Sequence, residues 1–203
     1  IKWNDMVSLG YEGLSLYWHH DNFRIGTGLV IDPGRDTSHV DTISFTAGDE
    51  RLKGLGKIDL SPGLKVFASY QLSSINFMVS GVKYLGSQNK GIVVNFGASA
   101  PLQLGSGFTL TPHAGANWAD SKYMQTYYGV TALQSSKSTF AEFDTKAGMR
   151  DVNGGITLTY AFNRHWSTST DFTATQLLGD AKKSPISFSD TGMMVMTAVG
   201  YHF

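Results

Sequence analysis

The sequence predicts an all-β fold, an up-and-down antiparallel transmembrane β-barrel with ten strands in this chain. Three observations lead to this prediction. Apolar and polar residues alternate over segments close to the roughly 9 to 11 residues of a tilted membrane strand. Every second connection between these segments is short. Finally, 23 of the 203 residues are glycine, 12% are aromatic, and the longest apolar run is far shorter than the roughly 20 residues of a membrane-spanning helix.

The alternation is clearest in two consecutive segments in the middle of the chain. From Ile92 to Leu104 every second residue is apolar, and Phe108 to Trp118 repeats the pattern after a glycine-rich turn. The predicted strands are Ile1 to Trp3, Met6 to Trp18, Phe23 to Asp32, Leu55 to Tyr70, Ser74 to Tyr84, Ile92 to Leu104, Phe108 to Trp118, Thr145 to Phe162, His165 to Leu177 and Thr191 to Phe203. In Met6 to Trp18 the apolar parity switches near Gly13, which predicts a glycine bulge or a strand end outside the bilayer.

The connection lengths distinguish a membrane barrel from a soluble sandwich. Short connections alternate with long ones, of which the longest are Pro33 to Gly54, Ala119 to Asp144 and Leu178 to Asp190. A barrel with short periplasmic turns and longer external loops has this rhythm, whereas a Greek-key sandwich gives no reason for it.

Charge and cysteine content narrow the functional classes. The 16 basic and 16 acidic residues give no net charge, and no basic stripe is present, so nucleic acid is not expected as a partner. The chain has no cysteine, which excludes thiolate chemistry and disulfides. It begins at Ile1 without a leader, and we expect a single barrel domain over 1–203 with a truncated N-terminus, and twelve strands if the intact protein has a further hairpin.

The last predicted strand carries an independent signal. Met193, Val195, Val199, Tyr201 and Phe203 share one face, and the chain ends on an aromatic residue. This resembles the terminal strand that the outer-membrane assembly machinery reads, with Tyr201 and Phe203 as the assembly signal. The alternative is an ordinary last strand of a sandwich.

Several loop motifs resemble the MipA/OmpV family of Gram-negative outer-membrane proteins. The matching residues are Ala119-Asp120, Tyr123-Met124, Thr126 to Thr131, Gln134, Ala147-Gly148, Asp151-Val152, His165-Trp166, Leu177 to Ala181, Ser184-Pro185-Ile186 and Gly200 to Phe203. Of these, the loop with Leu178, Gly179, Asp180, Ser184 and Pro185 is the most specific signature. Weaker likeness extends over nearly the whole chain.

The resemblance implies a location in the bacterial outer membrane, in contact with lipid. It also implies a scaffold that links a lytic transglycosylase to a murein synthase, without a cofactor. Family membership indicates fold more firmly than function, which has to be argued from sites.

Catalytic motifs are absent from the sequence, so we expect no enzyme and no metal site. Asp36, His39 and Asp41 in a long loop offer an Asp-x-x-His-x-Asp pattern that would suit a metal or a hydrolytic pair, but they read more simply as a solvated loop. No serine-elbow or zinc-protease motif occurs.

The inward-facing residues of the predicted barrel are polar and carry both signs of charge. With the apolar face outward, the candidates for lining the lumen are Arg24, Lys65, Asn95, His113, Asn117, Asp151, Asn153 and Asp171. A barrel of ten to twelve strands has at most a narrow interior, because aqueous channels appear at about 16 to 18 strands. A pairing network that fills the lumen is favoured, and a narrow solute channel is the alternative.

The loop from Ala119 to Asp144 is unusually apolar for a solvated segment. Tyr123, Tyr127 and Val130 have helical spacing, and Tyr128 lies beside them. We expect a short helix or folded cap over one barrel mouth, with a partner-binding patch as the alternative. The signature loop from Leu178 to Asp190 should lie at the same rim.

Overall fold

The computed structural model describes residues 2–3, 7–10, 13–37, 49–85 and 90–201. The strands in this part of the chain are β1 (Lys2–Trp3), β2 (Val7–Gly10), β3 (Gly13–His20), β4 (Phe23–Asp32), β5 (Ser61–Leu72), β6 (Ile75–Tyr84), β7 (Ile92–Ser99), β8 (Leu102–Gly105), β9 (Phe108–Ala119), β10 (Gly148–Ala161), β11 (Trp166–Leu177) and β12 (Thr191–Tyr201).

All of these strands belong to one antiparallel sheet in which sequence neighbours are spatial neighbours. The order runs from β1 to β12, and β7 and β8 share one position because both pair with β9. Apart from the two-residue β1, the strands therefore occupy ten successive positions. The predicted all-β, up-and-down fold class is confirmed.

Two predicted strands differ from the observed ones in their interiors. The segment predicted as one strand from Met6 to Trp18 contains the hairpin of β2 and β3, with Leu9 opposite Leu14 and Gly10 opposite Gly13. The predicted bulge is wrong: the parity switch arises because the chain reverses before Gly13, whose φ is +114°. The segment Ile92 to Leu104 is interrupted at Pro101, which has no N–H for the ladder.

The connections divide between the two ends of the sheet. At the turn end, β3–β4, β5–β6, β8–β9 and β10–β11 are joined by tight turns, and Asp21, Ser73 and Ser106 adopt positive φ in three of these turns. At the loop end, long segments follow β4, β9 and β11. The alternation of connection lengths predicts this division.

The loop end carries the helices of the described residues. They are α1 (Ser121–Tyr128), α2 (Ala132–Lys137), α3 (Gly179–Lys183) and a 3₁₀ turn over Glu50–Leu52. The Asp120 carboxylate caps α1 by accepting a hydrogen bond from the Tyr123 N–H at 2.8 Å, and Thr131 with Gln134 forms a capping box on α2. Within the described residues, no helix has the length and apolar character needed to cross a membrane.

The two faces of the sheet differ in polarity. Large apolar side chains are exposed on the outer face of consecutive strands, for example Leu16 at 51%, Val66 at 62% and Val195 at 62%. The inner face is concave, because side chains from β4 to β12 line one cavity of about 860 Å³. The sheet therefore has mostly apolar side chains on its outer face, whereas its concave face combines polar and apolar side chains.

Gly91 allows the start of β7 to approach the N-terminus of α1. Its φ is +84°, and a Cβ at this position would lie 2.0 Å from Asp120 Oδ1 and 2.6 Å from the Tyr123 nitrogen. We expect Gly91→Ala to displace the cap and lower the free energy of unfolding by about 2 kcal/mol in urea titrations. Gly148→Ala is the matched control, since a Cβ there meets nothing within 4 Å. Equal unfolding midpoints for the two variants would contradict this role.

Candidate functional site

The space on the concave face of the sheet, which we call the chamber, is bordered by six of the eight residues predicted to face the lumen. Lys65, Asn95, His113, Asn117, Asn153 and Asp171 border the 860 Å³ cavity. Asp151 is 2% exposed and lies beside Asn117 at the loop end of the wall. Arg24 borders a second cavity of about 520 Å³ at the turn end, where its guanidinium lies 4.7 Å from the Tyr17 ring centroid.

A histidine and a carboxylate meet across β10 in the chamber wall. His113 Nε2 on β9 lies 2.8 Å from Asp171 Oδ2 on β11. The Thr157 hydroxyl donates to the same oxygen at 2.8 Å, and the Thr173 hydroxyl donates to Asp171 Oδ1 at 2.5 Å. The carboxylate therefore has three partners within the wall.

The position of the imidazole depends on the residue of β10 beneath it. A Cβ on Gly155 would lie 2.9 Å from His113 Nε2 and 2.1 Å from the Phe172 carbonyl oxygen. Because glycine has no side chain, the ring crosses β10 and reaches the second strand along.

A second polar group closes the loop end of the chamber wall. Asn117 Nδ2 donates to Asp151 Oδ1 at 2.6 Å, and the Arg150 guanidinium is paired with the same carboxylate. The register of β9 and β10 shifts between Met149 and Asp151. Such a shift places two consecutive residues on one side of the sheet, so Arg150 and Asp151 pair with each other.

Arg150 also connects this group to α1. Its guanidinium donates to the Tyr123 hydroxyl at 3.2 Å, and the Tyr123 ring lies 5.9 Å from Tyr84, which borders the chamber. Burial raises the pKa of Tyr123 above its usual range, so the phenol stays neutral. Helix α1 therefore lies directly against the loop end of the chamber.

A buried carboxylate joins α1 to the opposite part of the sheet. Asp32, 8% exposed at the end of β4, accepts a hydrogen bond from the Tyr127 hydroxyl at 2.6 Å. The Lys90 ammonium is 1% exposed and lies 3.5 Å from the same carboxylate oxygen. Burial first, and then the hydrogen bond to Asp32, raise the pKa of Tyr127, which keeps its hydroxyl as a donor.

The end of α1 is held by a cation from the β4–β5 connection. Arg35 donates from its terminal nitrogen to the Tyr127 carbonyl at 3.0 Å, at the end of the helix that favours positive charge. Burial lowers the pKa of Arg35 from its ordinary value, yet arginine remains protonated at neutral pH. Its Nε is buried without a hydrogen-bond partner in the described part of the protein.

Apolar clusters attach the helices to the sheet and to one another. Met124, Val130 and Ala181 are fully buried, and Tyr128 packs against the cluster formed by Val93, Ala119, Met124 and Ala181. A second cluster combines Leu52, Leu55, Val130 and Ile186 with Phe140 and Phe143. The loops after β4, β9 and β11 thus form one layer, which we call the loop layer.

The signature loop belongs to this layer. Ser184 Oγ donates to the Tyr128 carbonyl at 2.6 Å, and Asp180 accepts a hydrogen bond from the Lys146 N–H at 2.9 Å. Leu178 N–H donates to the Arg150 carbonyl at 2.8 Å. Gly179 begins α3 with a φ of +52° and Pro185 lies in the turn after it.

Tyr201, one of the two residues predicted as an assembly signal, lies at the other end of the sheet. Tyr201 packs against Trp166 with ring centroids 4.9 Å apart, at the turn end. Phe203 lies outside the described residues, and its role stays a prediction.

The Asp-x-x-His-x-Asp pattern of the first long loop lies only partly within the described residues. Asp36 accepts a hydrogen bond from the Thr37 N–H at 2.7 Å, whereas His39 and Asp41 lie outside the described residues. In the described ranges, no group of three or more histidine, aspartate or glutamate side chains is placed to hold a metal ion.

Sequence reasoning missed Asp32, Lys90 and Arg150, which carry the buried ion pairs. Asp32 stands at the end of a predicted strand, and its pairing with Lys90 joins segments distant in the sequence. Arg150 pairs with its neighbour Asp151 because a register shift places both on one side of β10, and it reaches the distant Tyr123 as well. Lys90 lies 31 residues from Asp59, whose carbonyl also accepts a hydrogen bond from its ammonium. No local sequence pattern predicts the contacts of Lys90 with Asp32 and Asp59.

The Tyr127 hydroxyl is the direct link between α1 and β4. We expect Tyr127→Phe to lower the free energy of unfolding by about 1–3 kcal/mol, because Asp32 stays buried and loses a donor. Tyr70→Phe is the control, since Tyr70 is 47% exposed on the outer face. Urea titrations followed by tyrosine and tryptophan fluorescence measure the free energy of unfolding of both variants. Equal values for Tyr127→Phe and the control would contradict a stabilising role of the Tyr127 hydroxyl.

Comparison with known proteins bears on the resemblance noted in the loops. No match to this chain is found among curated proteins. The family model described as "MltA-interacting protein MipA" matches residues 5–203, nearly the whole chain. The loop motifs that resemble this family are therefore supported by a match over the full sheet, and the chain belongs to the MipA family.

Proposed function

We propose that this chain is a non-enzymatic outer-membrane β-barrel that acts as a scaffold for peptidoglycan-remodelling enzymes. The observation that carries the membrane part is the polarity of the sheet, with apolar side chains exposed on the outside and polar side chains around the chamber. A soluble sheet of this size would bury its apolar face, whereas a membrane barrel presents it to lipid. This polarity and the family both support the proposed location in the outer membrane.

The loop layer supports a filled barrel in preference to a conducting one. Helix α1 and the ion pairs of Asp32 and Asp151 lie at the loop end of the chamber. Opening a path would require breaking buried charge pairs, which costs several kcal/mol for each charge left without a partner. The long loops are external in this proposal, and the tight turns are periplasmic.

The scaffold part rests on the family description, which names MltA, a lytic transglycosylase, as an interaction partner. The lytic transglycosylase and a murein synthase are the partners that we propose for this chain. In the same proposal, Tyr201 and Phe203 form the signal for the barrel-assembly machinery.

A charge on the outer face tests the membrane placement. Val66 lies in the middle of β5 and is 62% exposed. We expect Val66→Lys to reduce the free energy of folding into lipid vesicles by about 2–4 kcal/mol, because the ammonium would lie in the hydrocarbon layer. Leu133→Lys is the control, since Leu133 is 65% exposed on α2 in the loop layer and should tolerate the change within about 0.5 kcal/mol. If Val66→Lys changed the free energy of folding as little as Leu133→Lys, the outer face would lie in water and the membrane placement would be wrong.

The scaffold is tested by association and by conductance. We expect the purified protein in mild detergent to retain a purified MltA-type transglycosylase and a murein synthase on an affinity resin. Planar-bilayer recordings of the same preparation should show no channel steps. Failure to retain either enzyme would overturn the scaffold.

A narrow solute channel is the alternative function, which the 860 Å³ chamber favours. Reproducible single-channel steps in the wild-type protein would establish it in place of the filled barrel.

A further inference from the structure

Apolar side chains make up much of the chamber lining, and several of them have uncovered surface. Val30 on β4, Val82 on β6 and Met194 and Met196 on β12 all border the chamber. Met78 on β6 borders it as well and is 36% exposed, and Met194 is 54% exposed. A ligand with an apolar body would remove this surface from water, which is favourable.

The charged groups that border the chamber are already engaged within the protein. Lys65 is 8% exposed, and its ammonium lies 5.7 Å from the Phe67 ring centroid. The Asp171 carboxylate is paired with His113 and accepts hydrogen bonds from two threonine hydroxyls. A charged ligand would have to break these contacts or stay without a counter-charge, and an unpaired charge removed from water is costly. The chamber therefore favours an uncharged ligand.

One part of the wall combines a side-chain amide with open space. Gly97 on β7 lies opposite Gly115 on β9, and Gly115 lies opposite Asn153 on β10. A Cβ on Gly115 would lie 2.9 Å from Asn153 Oδ1 and 3.3 Å from Asn153 Nδ2, so the amide covers Gly115. A Cβ on Gly97 would meet nothing closer than the Ala114 carbonyl oxygen, at 3.9 Å. The space over Gly97 therefore lies beside the amide.

The Asn153 amide has hydrogen-bonding capacity that the protein does not use. Its side chain makes no hydrogen bond within the described ranges, although it borders the chamber. A side-chain amide both donates and accepts hydrogen bonds, and a hydroxyl group does the same. Met78 lies opposite Gly97 on the other side, so apolar surface begins next to this space. We call the group of Met78, Gly97, Gly115 and Asn153 the recess.

We propose that the chamber binds a single-chain amphiphile whose head is uncharged and carries a hydroxyl group. The head lies in the recess, where the hydroxyl exchanges hydrogen bonds with the Asn153 amide. The alkyl chain lies along Met78, Met194 and Met196, whose flexible side chains adapt to an irregular apolar partner. The chamber volume of about 860 Å³ lies within the range of about 300–1,000 Å³ that small-molecule sites occupy.

This site goes beyond the scaffold role, which needs no ligand. An amphiphile in the chamber would fill space that a conducting pore has to leave open, so the site agrees with a filled barrel. The same chemistry is found in a monoacylglycerol derived from membrane lipid and in an amphiphilic solute from the medium.

Methyl NMR of the full chain in lipid nanodiscs, with isotope-labelled methionine methyl groups, tests the binding of decanol. We expect the Met78 and Met196 signals to shift saturably, because both side chains border the chamber. Met193, which is 93% exposed, is the internal control. Its signal reports decanol dissolved in the lipid and should shift without saturation. Decanoate and decylammonium have the same chain length and should bind at least about tenfold more weakly, because their charges find no available partner.

A side chain placed in the recess should block the site. We expect Gly97→Val to weaken decanol binding at least about tenfold, because its side chain occupies the space beside Asn153. Gly81→Val is the matched control, since Gly81 lies opposite Val66 on the outer face and a Cβ there meets only Val66 Cγ2, at 3.8 Å. Asn153→Leu, which removes the hydrogen-bonding partner, should weaken the binding about fivefold.

Unfolding midpoints in urea identify a variant that has lost its fold. If Gly97→Val has done so, Gly97→Ala replaces it, because its methyl carbon has open space, and it should also weaken binding.

Three results would overturn the inference. The first is a shift of the Met78 and Met196 signals that fails to saturate, as at Met193. The second is equal affinity for decanol in the folded Gly97 and Gly81 variants. The third is a charged analogue that binds as tightly as decanol. Retention of a transglycosylase by the protein tests the scaffold alone, so failure of either proposal is distinguishable from failure of the other.

Extraction of the protein purified from bacterial membranes, followed by mass spectrometry, distinguishes the two sources of the ligand. A monoacylglycerol that the wild type retains and Gly97→Val lacks identifies membrane lipid as the source. A wild-type protein that retains none and still binds decanol identifies a solute from the medium.

Discussion

The constraint on which the rest of this structure depends is that the sheet encloses charged side chains. A carboxylate removed from water is costly unless a cation and hydrogen-bond donors stand beside it. Asp32 is neutralised by Lys90, Asp151 by Arg150, and Asp171 is paired with His113. The pair of Lys90 and Asp32 and the pair of His113 and Asp171 join separate segments, and the Asp151 carboxylate joins β10 to β9 through Asn117. These contacts therefore specify the arrangement of the interior more than they add to its stability.

The loop layer follows from the same constraint. Its helices are short, with eight residues in α1, six in α2 and five in α3, and isolated helices of this length are marginal in water. They persist because Met124, Val130 and Ala181 are buried against the sheet and the neighbouring loops. Tyr127 and Tyr123 then extend from α1 to the charged groups of β4 and β10. Apolar packing holds the layer together, and the polar contacts fix its position on the chamber.

The family and the geometry constrain different parts of the function. The family model relates the whole chain to proteins described by their interaction with MltA, but it assigns no residue to that interaction. The structure, in turn, offers a chamber whose lining combines polar side chains such as Asn95 and His113 with apolar ones such as Val82 and Met196, and a second cavity at the turn end.

The sequence by itself determined the fold class, the order of the strands and the division between long and short connections, and it named six of the polar residues that border the chamber. These features depend on the two-residue period of a strand, which is local and visible in the residue pattern. Only the tertiary structure decided the hairpin of β2 and β3, the bulge at Arg150 and the ion pairs of Asp32 and Asp151. The Asp32 contacts join distant segments, such as Tyr127 with Asp32, 95 positions apart, and the pair of Arg150 with Asp151 depends on the register shift in β10. Alternation gives the face on which a side chain lies, but the partner that neutralises it there depends on how the sheet curves and how the loops fold back.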